Sequence, residues 1–466
     1  MRPSREKGFA YQSVYRYLNL LINESATNGS VRLPSLRQLA DRLNVSISTI
    51  QYAYSLLEKE GRVYSVAKSG YYAQAAPTLM SPDSAGDLLE AVYVNARRIG
   101  MCVLSADDPT SLQPLDSPLL MLERELLRQY PRQPPLQVQP SGELELRTAL
   151  AARYTTSALN SWQAEDVYIG ADLRGVLEIL IFALQLRGAT VLIESPCDWM
   201  ILRLFQAAEV QVIELPLQAD GGLDPQRLAS LLATERVGLI MLSSVLNMPR
   251  GSFVPHANRQ VIAQLLLRYG TWVLENDSCS ELADAPDAQH FREWLDPDRL
   301  LIFSAFDKII GAEAPYGFVL SRQWRSELQR HFLLRSFRLS CARQKAIARL
   351  LANGRVDQHL QILRRLLKER RTQLIQLLRE RLGDTVQIVE PQGGATVWLN
   401  SVRPVDMNEV FYCLLRQQVV IAPGELFSLN GDYAHHLRLS PICHSEHDLA
   451  GVVGQVGDAL RLAPDG

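Results

Sequence analysis

Several features are missing from this chain, and each absence narrows what it can be. No cysteine pair stands at metal or redox spacing. Cys102, Cys197, Cys279, Cys341, Cys413 and Cys443 are scattered, which speaks against a disulfide framework and for a reducing compartment. Long apolar runs are also missing: the most apolar stretch, Gly175–Leu186, is interrupted by Glu178 and too short to span a bilayer. The start, Met1-Arg-Pro-Ser-Arg-Glu-Lys-Gly, carries no apolar segment of the kind a secretory leader needs. A cytoplasmic protein with no membrane partner is therefore expected. No phosphate-binding P-loop, dinucleotide glycine fingerprint or G-x-S-x-G elbow occurs. His435, His436, Cys443, His444 and His447 cluster in sequence at no zinc-site spacing, so no metal is expected.

What is present is ordinary globular composition, with 47% hydrophobic and 21% charged residues in a chain of 466. That length suits two or three domains. The formal net charge of -2 conceals an asymmetry. Residues 1–75 hold ten lysines and arginines against five acidic residues, and the remainder holds 38 against 45. A basic head on an acidic body fits a small nucleic-acid reader joined to something else.

Residues 1–75 read as three helices and a hairpin. Val14, Tyr15, Leu18, Leu21 and Ile22 give Tyr11–Ile22 a helical stripe. Ser35 is placed to cap a second helix through Leu43. Ser46 or Ser48 caps a third running to about Glu60, where Gly61 stops it. Two short strands around Lys68-Ser69-Gly70 follow. This order makes a winged helix-turn-helix, whose third helix enters the major groove of double-stranded DNA. Ser48, Thr49, Gln51 and Tyr52 are the groove-facing candidates, Ile50, Ala53 and Leu57 fall at core spacing, and Arg37, Arg62 and Lys68 would contact phosphates. The run Leu33-Pro-Ser-Leu-Arg-Gln-Leu-Ala, then Val45-Ser46, Thr49, Leu57-Glu58 and Glu60-Gly61, resembles the GntR family head. Ile47 stands where that family often has arginine.

Residues 76–87, rich in proline and serine, read as a linker. Beyond it, strand patterns at Val191–Glu194, Val210–Leu215, Val237–Leu242, Thr271–Glu275 and Leu300–Phe303 alternate with helical ones, which implies a mostly parallel, helix-covered sheet. The amphipathic stretch Gln358–Arg381 leads to short strands at Val386–Val389, Ala395–Leu399 and His436–Leu439, a smaller α+β subdomain over about 356–466.

The body, residues 88–466, resembles a fold-type I aminotransferase of class I/II. The matching pieces run in order: Ser141-Gly142, Gly170-Ala171-Asp172, Glu194-Ser-Pro-Cys, Pro249-Arg-Gly251, Glu275-Asn-Asp, Ser304-Ala-Phe-Asp-Lys308, Pro391-Gln-Gly-Gly394, Ala422–Phe427 and Leu437-Arg-Leu439. Head and body together resemble the MocR subfamily of regulators. The resemblance implies a head-to-tail homodimer and a small-molecule effector, with pyridoxal phosphate as cofactor. It places Lys308 at the Schiff-base position, Arg438 at the carboxylate-binding position, Asn276 against the pyridine nitrogen, and the amides of Gly170, Ala171 and Asp172 at the phosphate.

The same comparison exposes departures. Asn276 replaces an aspartate, Cys279 a tyrosine, Pro315 an arginine and Asp307 a serine, and Met248 sits beside Asn247 where asparagine is expected. Asparagine cannot stabilise a protonated pyridine, and a carboxylate facing phosphate repels it. Trp199, near the stacking position, reads as core. Three readings stay open: a regulator sensing a ligand with or through pyridoxal phosphate, a regulator with a pseudoenzyme body, and a working aminotransferase.

Overall fold

The computed structural model describes residues 10–25, 32–59, 62–66, 70–73, 87–98, 100–129, 139–285, 289–335, 339–442 and 448–465. The chain divides into two compact units, Met1–Met80 and Ser81–Gly466.

In the first unit the helices are Ala10–Ser25, Leu36–Leu43 and Ile47–Lys59. Ser35 and Gln38 close a capping box. The Gln38 amide donates to Ser35 Oγ at 3.4 Å, and the Ser35 amide donates to Gln38 Oε1 at 2.9 Å. Asn44 turns the chain with a left-handed φ of 52°. Ser46, rather than Ser48, caps the third helix, accepting from the Thr49 amide at 3.2 Å. Val14, Leu18, Leu39, Ile50, Ala53 and Leu57 are buried together. Tyr54, also buried, donates its hydroxyl to the Pro34 carbonyl at 2.6 Å. Strands Val63–Val66 and Gly70–Ala73 pair antiparallel.

The second unit is built on a seven-stranded sheet in the order Val167–Ile169, Gly317–Ser321, Leu300–Ala305, Val273–Asn276, Val237–Ser243, Thr190–Ser195, Gln211–Pro216. The last five run parallel, and Gly317–Ser321 is antiparallel to both its neighbours. Parallel strands covered by helices on both faces read as unbroken apolar runs, as Leu300–Phe303 does, and every residue of Leu300–Ala305 is buried. The strands Val167–Ile169 and Gly317–Ser321 escape the sequence reading because each is short and flanked by helix or loop patterns.

Helix Arg355–Leu382 leads into an antiparallel four-stranded sheet, Val386–Val389, Val397–Ser401, His436–Leu439 and Ala422–Pro423. This layer draws in the start of the body. Helix Leu88–Ala96, capped by Asp87, and strand Cys102–Val103 share its core, and the Leu104 amide donates to the Val420 carbonyl at 2.8 Å. Among the described residues no helix is long and apolar enough to cross a membrane.

Gly317 fixes the approach of strand to helix. A Cβ there would lie 2.5 Å from the Asp172 carbonyl oxygen and 2.7 Å from the Leu173 amide. Backbone cannot yield as a side chain can, so Gly317→Ala is expected to destabilise the body by about 1–3 kcal/mol. A lowered thermal unfolding midpoint of the full chain checks this, and an unchanged midpoint would refute the close approach.

Candidate functional site

The head presents a polar helix face. Ser48, Gln51 and Tyr52 are exposed and Thr49 is half-buried, while Ile50, Ala53 and Leu57 point inward. Tyr52 packs edge-on against Tyr11 with ring centroids 5.1 Å apart. Ser46 Oγ lies 2.8 Å from the hydroxyls of both Ser48 and Thr49. Arg37 is exposed on the preceding helix. Arg62 differs from the expectation: it is buried at 9% exposure, so it is withdrawn from the surface where a phosphate would be met. Lys68 lies outside the described residues.

In the body a cavity of about 520 Å³ opens at the carboxyl ends of the parallel strands, where ligands of open α/β sheets are received. Lys308, Asn276, Asp172 and Arg438 line it, and so do Cys279, Asp307 and Pro315. Gly170 and Ala171 do not line it. The Gly170 amide is already spent on the Gly317 carbonyl, 2.8 Å away across the sheet.

Lys308 is not a free amine. Its Nζ donates to Asp107 Oδ2 at 2.7 Å, and the same carboxylate oxygen lies 3.6 Å from an Arg438 terminal nitrogen. Burial alone would lower the Lys308 pKa, but the Asp107 charge holds it above the ordinary lysine value. Burial would raise the Asp107 pKa, yet Lys308 and Arg438 hold it below the usual carboxylate value. Asp107 was not visible from the sequence, because no spacing ties it to a lysine 201 positions away.

Arg438 is buried and well held. One terminal nitrogen donates to the Ser105 carbonyl, and the guanidinium lies 4.5 Å from the Trp199 ring centroid and 5.0 Å from that of Phe427. Trp199 stacks on Phe427 at 5.1 Å and belongs to the core while also lining the cavity.

Asp172, Asn276 and the neighbouring Asp277 are each engaged by other groups of the protein. Asp172 caps the helix Leu173–Ala183, its own carboxylate accepting from the Gly175 amide at 2.7 Å. A helix N-terminus is an anion site, and here a side-chain anion already sits on it. Asn276 turns its carbonyl oxygen to Ser278, accepting from the hydroxyl at 2.7 Å and the amide at 3.2 Å. Asp277 faces away from the cavity. It accepts the Tyr154 hydroxyl at 2.6 Å, and its other oxygen lies 3.3 Å from both Arg292 and His290. Arg292 also donates to Glu275 at 3.0 Å, so one buried guanidinium serves two buried carboxylates. Among the described residues no cluster could hold a metal ion, and Cys443, His444 and His447 lie outside them.

Comparison with known proteins gives two family matches: aminotransferase class I and II over residues 133–456, and bacterial regulatory proteins of the gntR family over residues 10–72. The chain is 28% identical to the uncharacterized HTH-type transcriptional regulator YdcR of Escherichia coli (strain K12), over 92% of this chain and 94% of that one. It is 25% identical to YjiR of the same organism, described in the same words, over 96% and 99%. Among solved structures, Pyrococcus horikoshii kynurenine aminotransferase superposes with a TM-score of 0.73 at 19% identity, covering 81% of this chain and 94% of that one. Thermus thermophilus LysN, an alpha-aminoadipate aminotransferase, gives 0.69 at 21%, covering 78% and 92%. These likenesses show the fold.

Removing Arg292 would leave Glu275 and Asp277 buried without their shared cation. Arg292→Ala is expected to cost about 3–5 kcal/mol in urea unfolding at neutral pH. Arg292 and His290 hold the Asp277 carboxyl well below its ordinary value against the effect of burial. A depressed carboxylate stabilises above its unfolded pKa, about 3.9, and loses that contribution as pH falls through the folded value. The gap between wild type and variant should therefore narrow in acid; a gap independent of pH would refute the assignment.

Proposed function

The chain belongs to the class I and II aminotransferase family, and on that premise we propose that it is a MocR-type transcriptional regulator whose aminotransferase-like body senses a small molecule and does not catalyse transamination. The gntR-type head supports the first half of this reading. A polar third helix carrying Ser48, Thr49, Gln51 and Tyr52 reads base edges, and Arg37 supplies a phosphate contact. Fold-type I aminotransferases are typically dimers. A dimer of this chain, arranged head to tail, would bring two heads to two half-sites of an operator in the cytoplasm.

One observation carries the second half: the Lys308–Asp107 ion pair. Attack by lysine on a carbonyl carbon needs the neutral amine. Deprotonating Lys308 here forfeits an ion pair that is only about one-fifth exposed on either side. The rest of the cavity points the same way. Pyridoxal phosphate would meet Asp172 on the helix terminus, Pro315 and Asp307 in place of an arginine clamp and a hydroxyl, and Asn276 where an acid is needed. The residues present do not fit the cofactor. The family's fold normally binds pyridoxal phosphate; in this chain the lysine and arginine are retained as parts of a polar wall.

Two measurements test the reading. Titrating the full chain with pyridoxal phosphate should give no visible absorption band that Lys308→Ala abolishes. A band present in the wild type and lost in the variant would restore the cofactor and sink the non-catalytic reading. In gel-shift assays on duplexes from the protein's own promoter region, Gln51→Ala should cost about 1–3 kcal/mol and relax base preference at one position. Arg37→Ala should weaken all sequences alike and flatten the salt dependence. Binding indifferent to both substitutions would move the interface elsewhere.

A further inference from the structure

At the end of the cavity formed by strand Thr190–Ser195 and the loop after Val237–Ser243, two buried acceptors are left over. Glu194 is 3% exposed and Asn247 2%. Glu194 Oε2 accepts the Ser243 amide at 2.9 Å and the Asn247 side-chain NH2 at 3.3 Å, while Oε1 accepts nothing from the protein. The Asn247 NH2 also donates to the Pro196 carbonyl at 3.3 Å. Two acceptors on one NH2 fix the orientation of the amide, and Asn247 Oδ1 is left without a donor. A buried acceptor with no donor costs on the order of 1–3 kcal/mol, and both residues line the same cavity. Such a pair is complementary to a group made of N–H donors.

Lys308, which lines the same cavity, is already matched. Asp107 lies against Lys308 and near Arg438, as a carboxylate ligand would. An incoming carboxylate must displace Asp107 or face its charge; an incoming cation need do neither.

We infer that the cavity takes an organic cation, a primary ammonium or guanidinium whose N–H groups donate to Glu194 and Asn247, and that Asp107 is the residue that excludes carboxylates. This inference rests on the sensor reading above and names the chemical class of the effector. Burial pushes the Glu194 carboxyl pKa up, against the hydrogen bonds from Ser243 and Asn247 that favour the carboxylate. Arg438 Nε has no partner, so neutralising Asp107 would open an anion site where the wild type has none.

Isothermal titration calorimetry of the full chain with three probes of equal carbon number tests this: 1,5-diaminopentane, 5-aminopentanoate and pentanoate. The diamine is expected to bind the wild type and pentanoate is not. Glu194→Gln, isosteric and neutral, should weaken the diamine about tenfold or more, the scale of a lost charged hydrogen bond. Asp107→Asn should gain pentanoate binding by about tenfold or more on the same scale, a gain that misfolding cannot mimic. Absence of heat from the diamine at millimolar concentration would overturn the inference. So would wild-type binding of pentanoate as tight as that of the diamine, or indifference of diamine binding to Glu194→Gln. None of these outcomes produces the lysine-dependent cofactor band that would instead overturn the sensor reading, so the two failures are distinguishable.

Discussion

The carboxylate of Asp107 sits where three parts of the body converge, and the character of the cavity depends on it. Its backbone follows strand Cys102–Val103, held to the C-terminal layer by the Leu104 amide on Val420 and by the Ser440 amide on the Leu104 carbonyl at 2.7 Å. Its side chain reaches Lys308, just beyond the strand Leu300–Ala305, and approaches Arg438 on the strand His436–Leu439. One anion between two cations lowers the cost of burying all three. Beside it Lys308 is favoured in its charged form, and Arg438 has an anion at 3.6 Å.

Behind the cavity wall the same economy is repeated with the signs exchanged. Arg292 lies between Glu275 and Asp277, with its guanidinium carbon 4.8 Å from the Tyr154 ring centroid. Ser244 Oγ donates to Glu275 at 2.7 Å and lies 2.8 Å from His290 Nδ1. This network anchors the carboxyl end of strand Val273–Asn276 from the side away from the ligand. The cavity wall is therefore rigid at Asn276 for reasons unrelated to what binds there. The groups that hold this end of the fold, Arg292, Glu275, Asp277 and Tyr154, are thus distinct from the groups that line the cavity.

How much of this the sequence discloses follows the range of the interactions. Helix caps are local, so Ser35, Asn44 and Ser46 mark the head's boundaries within a residue. Buried parallel strands are apolar throughout, so their cores stand out while their ends shift by one or two positions. The direction of Asp277 was readable in principle. Successive residues leaving a strand alternate sides, so Asn276 on the cavity places Glu275 and Asp277 together behind it, where Arg292 meets both. Asp107 was not readable. Its partners lie about 200 and 330 positions away, and the two-residue strand that precedes it has no period to detect. Arg62 misled because a charge adjoining a wing looks like a surface charge until packing withdraws it.

The substitutions around the cavity are better understood as a set than as separate losses. Asp107, Asp172 and Asp307 line the cavity, and Asp307, Asn276 and Pro315 stand where the family resemblance places a serine, an acid and an arginine. Asp307 adds an anion to the lining, and Pro315 leaves out a cation that would have favoured one. Only Asn276 shifts the charge the other way, on a wall that Arg292 already stabilises from behind. Random decay would leave unmatched cations and open amides. Here Lys308 has an anion and the helix terminus Leu173–Ala183 has its own cap, while the unmatched atoms that remain are the acceptors on Glu194 and Asn247 and the Nε of Arg438. Under the proposed sensor reading, that pattern would disfavour a phosphate and favour a ligand that brings donors.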